Sequence, residues 1–110
     1  MTADPTEDAE YFAGLWDQFK DIVLERVVAL EEAAAAVRQG VLGDGMRQRA
    51  EMAAHRLAGS LGSIGFPDGS RIALEIEGLL RECASPVGDQ VSRLSALTSA
   101  LRQTLDRRPG

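Results

Sequence analysis

Apolar residues recur every three or four positions in four successive segments of this 110-residue chain. That spacing places them on one face of an α-helix, and no segment shows the strict alternation of a half-buried strand. The connections between the segments are about three to seven residues long, which favours antiparallel packing of neighbours. The pattern therefore predicts an all-α fold, an antiparallel up-and-down four-helix bundle around one apolar core.

Proline and glycine mark the ends of the first segment. Asp4-Pro5-Thr6-Glu7 combines an N-cap residue, a proline in the first turn and an early glutamate, and Gly40 and Gly43 end the segment that follows. A single helix over this distance would be roughly 50 Å long, and it would overhang its neighbours. We therefore expect a short extra N-terminal helix and a break near Gly14.

The other three helices are predicted from similar features. The second runs from Asp44 to Gly65, a turn follows at Phe66-Pro67-Asp68-Gly69, and Ser85-Pro86 opens the fourth, which Arg107-Arg108-Pro109 closes. The spacing assigns aromatic and sulfur-containing side chains to the core as well: Trp16, Phe19 and Cys83. Tyr11 and Phe12 are expected to cap one end of the bundle.

Charge and composition exclude several classes of protein. The net charge of -5 argues against binding to nucleic acid, which needs a basic surface. No run of about 18 apolar residues is long enough to span a bilayer, and Met1 to Asp8 lacks the features of a secretory leader. Cys83 is the only cysteine, so it forms no internal disulfide and no structural zinc site of several thiolates. We expect a cytoplasmic, monomeric single domain over residues 1–110, with the bundle itself at about 15–107.

The one histidine, His55, is predicted to lie on the surface. At about 100° per residue, Ala53, Leu57 and Leu61 fall nearly opposite the imidazole, whereas a buried structural histidine would lie nearer that apolar stripe. An exposed imidazole in its neutral form has a nucleophilic nitrogen. Such a nitrogen can attack a phosphoryl group without a separate general base.

Small residues follow His55 on the same helical face: Ala58, Gly59 and Gly62. Glycine inside a helix costs about 1 kcal/mol relative to alanine, and two glycines one turn apart indicate close approach of another surface. Alternatively, they loosen the helix or pack against a sister helix. Their angle, close to that of His55, favours an open face on which a partner's active site lies over the imidazole.

Residues 54–66, AHRLAGSLGSIGF, resemble the motif of histidine-containing phosphotransfer (HPt) domains, A-H-x-L-K-G-S-x-x-x-x-G followed by a hydrophobic residue. The resemblance continues through Ile72–Leu80, with Glu75 as the family's glutamate in that apolar run. It implies a four-helix bundle with His55 as phosphoacceptor and Gly59 as the family's small residue. It also implies partners, which are receiver domains with a phosphorylated aspartate or a hybrid histidine kinase. The receiver would supply Mg²⁺, and this domain would bind no cofactor of its own.

One departure from the motif concerns positive charge. The family usually has lysine three residues after the histidine, where this chain has Ala58. The nearest cation is Arg56, about 100° around the helix, which either swings across to the phosphoryl group or is a solvated surface residue. The sequence also resembles H-K-L-A-G-S variants in HPt domains joined to receiver and diguanylate cyclase domains. This resemblance implies that Arg56 supplies the positive charge one residue after the histidine instead of three, and that the chain is a piece of a larger regulator.

Two other functions are alternatives to a phosphorelay. A histidine kinase fragment needs a nucleotide site, and the chain has no phosphate-cradling loop of the form G-x-x-x-x-G-K-[ST], so we expect a phosphocarrier rather than an enzyme with its own ATP site. A degenerate HPt-like module would dock receiver or kinase domains without taking phosphate. Ala58 favours that module, whereas His55 with its open glycine face favours a working relay.

Further polar and soft side chains are candidates for the rim of the site. Met52 flanks the same face and is either a partner contact or merely half-buried. Gln48 and Glu51 lie one to two turns before His55, and Arg38 and Arg81 are basic residues of neighbouring helices whose orientation the sequence does not fix. The identity of the phosphodonor and acceptor and the output of the pathway stay open.

Overall fold

The computed structural model describes residues 5–82 and 88–107, with side chains from residue 10 onward. These residues form four α-helices: α1 (Pro5–Arg38), α2 (Asp44–Ser63), α3 (Pro67–Glu82) and α4 (Asp89–Leu105). None of the described residues is in a β-strand. The all-α class that the apolar spacing predicts is confirmed.

The four helices close around a single core. α1 contacts α2 and α4, and α3 contacts the same two helices from the other side. All four helices contribute to the largest fully buried side chains: Leu30, Leu57, Leu61, Ile76, Leu80, Leu94, Leu101, Val23 and Val27. Burial of each such side chain contributes roughly 1.5–3 kcal/mol, so this apolar core is the main source of the bundle's stability.

The first helix is uninterrupted over its 34 residues, so the predicted break near Gly14 is wrong. The overhang that motivates the prediction exists, because Leu15 and Trp16 are the first of the described side chains of α1 that pack against the core. The indole of Trp16 meets the ring of Phe66 edge to face, with centroids 5.0 Å apart. One glycine in a helix costs about 1 kcal/mol, and packing of the turns that follow outweighs that cost.

Two aromatic residues of α1 lie differently from their predicted positions. Phe19 is 40% exposed rather than part of the core. Tyr11 is also mostly exposed, and its ring contacts Phe12 edge to face. Both exposed rings lie on the side of α1 near His55, which concerns the site below.

Two glycines with positive φ end helices. Gly40 (φ 72°) follows α1, and the amide of Val41 donates to the carbonyl of Ala36 at 2.9 Å. Gly65 (φ 97°) follows α2, and the amide of Phe66 donates to the carbonyl of Leu61 at 2.8 Å. This left-handed conformation is strained for residues with a Cβ, and it satisfies carbonyls that the helix end leaves without partners.

The third helix begins earlier than predicted. Phe66–Gly69 was expected to form a turn, but Pro67 is already the first residue of α3. Proline is accepted there because the first helical position needs no amide donor and a φ near -65° is already helical. Pro5 begins α1 in the same way, as predicted.

Some predictions fall outside the described residues. These are the N-cap role of Asp4, the core role of Cys83, the helix start at Ser85-Pro86 and the closing Arg108-Pro109. The fourth helix is described from Asp89 onward. No helix of the described ranges is long and apolar enough to cross a membrane.

Polar contacts join α1 to α4 on the side of the bundle away from α2. Arg102 donates two hydrogen bonds to the carboxylate of Glu31, at 2.5 and 3.1 Å, and Arg38 donates to the hydroxyl of Ser95 at 2.9 Å. The bond to Glu31 raises the pKa of Arg102 above its usual value, against the opposing effect of desolvation. Arg38, whose orientation the sequence left open, therefore lies at the α1–α4 seam rather than at the rim of the site.

Candidate functional site

His55 projects from the middle of α2 into solvent. Its neighbours Ala54 and Leu57 are fully buried, and the alternation of inward and outward positions leaves 66% of the imidazole exposed. This is the surface placement that the helical wheel predicts. A side chain that contributes so little to the core is free to react with another molecule.

A network of charged groups holds the imidazole on the side of α3. The Nδ1 atom of His55 lies 2.9 Å from Oε2 of Glu77, and the same oxygen accepts a hydrogen bond from Arg81 at 2.7 Å. Arg81 also donates from Nε to Oε1 of Glu51 at 3.0 Å. We call these four residues, Glu51, His55, Glu77 and Arg81, the Glu77 network.

The burial of Glu77 gives the network its rigidity. The side chain of Glu77 is only 7% exposed and lies among Ala73, Ile76 and Leu80, the buried face of α3. A buried carboxylate is costly unless it is paired and hydrogen-bonded, and Arg81 and His55 meet that requirement. Hydrogen bonding to Glu51 and the charge of Glu77 in turn raise the pKa of Arg81 above its usual value.

The contact with Glu77 fixes which nitrogen of His55 carries hydrogen. A carboxylate paired with arginine only accepts, so Nδ1 is the donor in this hydrogen bond. In the neutral ring the lone pair is then on Nε2, the nitrogen for which no partner is found among the described residues. The arrangement presents one nucleophilic nitrogen in a fixed orientation.

The glutamate of α3 that meets His55 is not one that the sequence singles out. Glu75, the glutamate that the resemblance places in the family's apolar run, is exposed, and its carboxylate lies 3.3 Å from Arg93 of α4. The residue that meets His55 is Glu77, two positions later. Its position in the sequence carried a usable indication, since a carboxylate between Ile76 and Leu80 on an apolar stripe requires a buried partner.

Two grooves flank His55. The first, the α1 groove, has a volume of about 720 Å³ and lies between α1 and α2. It is lined by Tyr11, Leu15, Phe19, Ile22, Val23, Arg26, His55, Arg56, Gly59, Ser60, Ser63 and Ile64. The second, the α3 groove, measures about 460 Å³ and is lined by the Glu77 network with Gln48 and Met52. His55 is therefore the ridge between a largely apolar groove and a charged one.

Three of the predicted docking residues are exposed and line these grooves. Arg56 is exposed in the α1 groove, and Met52 is 51% exposed in the α3 groove. A Cβ added to Gly59 would meet nothing within 4 Å, so this glycine leaves open space beside His55. These three positions have the exposure that docking residues need.

The other two predicted docking residues differ in exposure. Ala58 is 8% exposed and belongs to the core, and its carbonyl accepts a hydrogen bond from Ser70 of α3 at 2.5 Å. Gly62 is exposed, and a Cβ added to it would lie 3.5 Å from the Ser70 hydroxyl. The expectation that Ala58 shares the open face is wrong, because Ala58 packs into the core where α2 meets α3.

Comparison with family models identifies the chain. The model of the Hpt domain matches residues 14–107, which includes His55 and all but the first turns of α1. The chain belongs to the Hpt domain family. Hpt domains are histidine phosphotransfer modules of two-component phosphorelays and carry no ATP site of their own. No curated protein and no solved structure matches the chain.

This Hpt domain shows no metal centre in its described ranges. Across residues 5–82 and 88–107, no three histidine, cysteine, aspartate or glutamate side chains are grouped so as to hold a metal ion. Glu51 and Glu77 line the α3 groove beside His55, and Arg81 bridges them. Both carboxylates pair with Arg81, and Glu77 also pairs with the imidazole.

Proposed function

We propose that this Hpt domain accepts a phosphoryl group on His55 from the aspartate of a receiver domain and donates it to another. The observation that carries the proposal is the 2.9 Å contact between Nδ1 of a two-thirds exposed imidazole and the buried Glu77. The contact orients the imidazole on the α3 side, and the exposed part of the ring stays accessible to a partner. An exposed histidine without such a partner would rotate freely and react more slowly.

In the forward step, the lone pair of Nε2 attacks the phosphorus of an aspartyl phosphate. The N–P bond forms as the P–O bond to the aspartate breaks, and the aspartate leaves as a carboxylate with the bonding electrons. The ring keeps its Nδ1 hydrogen and gains positive charge, which the Glu77 carboxylate stabilises at 2.9 Å. The reverse step on a second receiver restores the neutral imidazole.

The partner completes the chemistry on its own side. We propose that the receiver holds the Mg²⁺ that neutralises the phosphoryl oxygens, and that this domain positions the nucleophile. The open space at Gly59 supports close approach of the receiver to the imidazole. The apolar side chains of the α1 groove supply contact area beside it.

We further propose that neighbouring helices run antiparallel. Between α1 and α4, Glu31 pairs with Arg102 and Arg38 with Ser95, so residue numbers rise along one helix as they fall along the other. The Glu77 network follows the same order between α2 and α3, since His55 meets Glu77 and Glu51 meets Arg81. We also propose that the domain acts as a monomer in the cytoplasm.

A second candidate function is a docking module that takes no phosphate. The observation in its favour is Ala58, which brings no charge to the position of the family's lysine and is itself buried. Such a module would keep the grooves and bind receivers. In such a module, the contact of Glu77 with His55 would serve no function.

Phosphotransfer from a panel of phosphorylated receiver domains with Mg²⁺ tests the proposal, with wild type compared with His55→Gln. We expect acid-labile, alkali-stable label on the wild type only. Because the side chain is exposed, the variant should keep its helicity and melting temperature. Tight binding of receivers without transfer of label to the wild type would favour the docking module.

A further inference from the structure

The α1 groove has an unusual distribution of charge for an acidic protein. The chain carries a net charge of -5, yet none of the described side chains that line this groove is a carboxylate. Apart from His55, its polar lining consists of Arg26, Arg56, Ser60, Ser63 and Tyr11. Every one of these groups can donate hydrogen bonds to an anion.

The two arginines of the groove are not neutralised by the rest of the bundle. Several other arginines lie within 4.0 Å of a carboxylate: Arg47, Arg71, Arg81, Arg93 and Arg102. Within the described ranges, Arg26 and Arg56 have no such partner. Arg26 is half-buried, and its only hydrogen bond there goes to the Ser60 hydroxyl at 3.5 Å, which directs the guanidinium from α1 toward α2.

We propose that Arg26 and Arg56 bind the phosphoryl oxygens of phosphorylated His55 and so replace the lysine that Ala58 removes. Ser60 acts as a positioning residue for Arg26. The inference rests on the proposed function, since it assigns the groups that stabilise the phosphoryl charge of that reaction. Arg26 comes from a helix that the motif around His55 does not include.

The two sides of His55 differ in what they offer a phosphoryl group. On the α3 side the nearest groups include the carboxylates of Glu51 and Glu77, and Arg81 is already bound to both. A phosphoryl group that carries about two negative charges is repelled there. On the α1 side it meets two guanidinium groups whose planar forks suit phosphate oxygens.

Chemical phosphorylation separates this inference from receiver docking. Potassium phosphoramidate would be used to phosphorylate the wild type and the double variant Arg26→Gln/Arg56→Gln. Arg49→Gln is the matched control, because Arg49 is an exposed arginine of α2 without a described carboxylate partner and does not line the α1 groove. The readouts are the rate of labelling and the ³¹P titration of the phosphohistidine.

We expect the double variant to be labelled about tenfold more slowly, the effect of losing a charge-assisted hydrogen bond. Its ³¹P titration midpoint should move to higher pH, since nearby cations favour the dianion and their removal disfavours it. Arg26→Lys/Arg56→Lys should recover much of that shift. Circular dichroism checks that the variants keep their helices.

The outcomes distinguish this inference from the proposed function. Normal labelling and an unchanged titration in the double variant would overturn the role of Arg26 and Arg56 and leave the relay intact. Failure of wild-type His55 to take label from phosphoramidate and from every receiver would overturn the relay, and this inference with it. An equal shift in Arg49→Gln would show a general charge effect and also overturn the inference.

Discussion

The two sides of His55 differ in how their charges are paired. Toward α3, Glu51, Glu77 and Arg81 form a closed set of hydrogen bonds in which each charge has a partner. Toward α1, the groove is wide and largely apolar, and Arg26 and Arg56 have no described carboxylate within 4.0 Å. A closed network holds a ring in place, whereas unpaired donors and open space remain available to an incoming group. In the proposed relay, orientation and recognition are therefore divided between two helices.

The largest effect on phosphotransfer should come from removing the carboxylate of Glu77, which contacts His55 on the α3 side. We expect Glu77→Ala to slow phosphotransfer on the order of 100-fold, because the imidazole loses its orienting contact. Glu77→Gln keeps an acceptor oxygen near Nδ1 and should lose about tenfold. Stopped-flow or gel-based transfer from a phosphorylated receiver measures the rate, and ¹⁵N chemical shifts of the ring report the loss of the Nδ1–H tautomer.

Glu75→Ala is the matched control for this prediction. Glu75 is a glutamate of the same helix, but it pairs with Arg93 on α4 rather than with His55. Its removal should leave both the transfer rate and the ring tautomer unchanged. Unimpaired transfer in Glu77→Ala, with the tautomer lost, would show that orientation from the α3 side is dispensable.

A second prediction concerns the open side. A Cβ at Gly59 meets nothing within 4 Å, so Gly59→Gln should raise the free energy of unfolding by about 0.5–1 kcal/mol, the usual gain over a helical glycine. The same side chain covers the space beside His55 and should slow transfer from receivers at least tenfold. Labelling by phosphoramidate, a small molecule, should change little.

Gly78→Gln provides the comparison. Gly78 is also a helical glycine with open space at its Cβ, but it lines neither groove. It should gain similar stability in denaturant unfolding and transfer phosphate at the wild-type rate. Undiminished receiver transfer in Gly59→Gln would rule out close approach at this face.

The sequence predicts the exposure of His55 better than its contacts with α3. The exposure of His55 follows from helical periodicity alone, because Leu57 and Leu61 fix the inner face of α2. Glu77 was missed because its role depends on how α3 is rotated against α2, which a single helical wheel does not contain. Ala58 was misplaced for the same reason, since the seam with Ser70 is a property of the helix pair.

The length of α1 shows a different limit. The break near Gly14 is predicted from an overhang, which is real. Neither that overhang nor the cost of a helical glycine outweighs the cooperative extension of a helix whose later turns are anchored by Val23, Val27 and Leu30. Local propensity is a weak guide where tertiary packing fixes most of the same helix.

The smallest effect should come from removing the charge of Arg81. Arg81→Gln leaves Glu51 paired with Arg47 and Glu77 paired with His55 alone. We expect roughly threefold slower transfer, because Arg81 itself is 63% exposed and its charge is screened by solvent. Arg102→Gln is the matched control, because it breaks an arginine–glutamate pair at the α1–α4 seam. It should lower the free energy of unfolding by at most about 1 kcal/mol and leave transfer unchanged.

The pH dependence of these two arginine variants tests whether the effect is local. Pairing raises the pKa of both Arg81 and Arg102, so each stabilising contribution is fully present below the unfolded pKa and is lost only as the pH rises through the higher folded value. Those values lie above the usual arginine range, and the stability difference from wild type should therefore stay constant between pH 6 and about pH 9. A transfer defect in Arg81→Gln that Arg102→Gln does not share then reports on charge beside His55. Equal defects in both would trace the loss to the stability of the bundle.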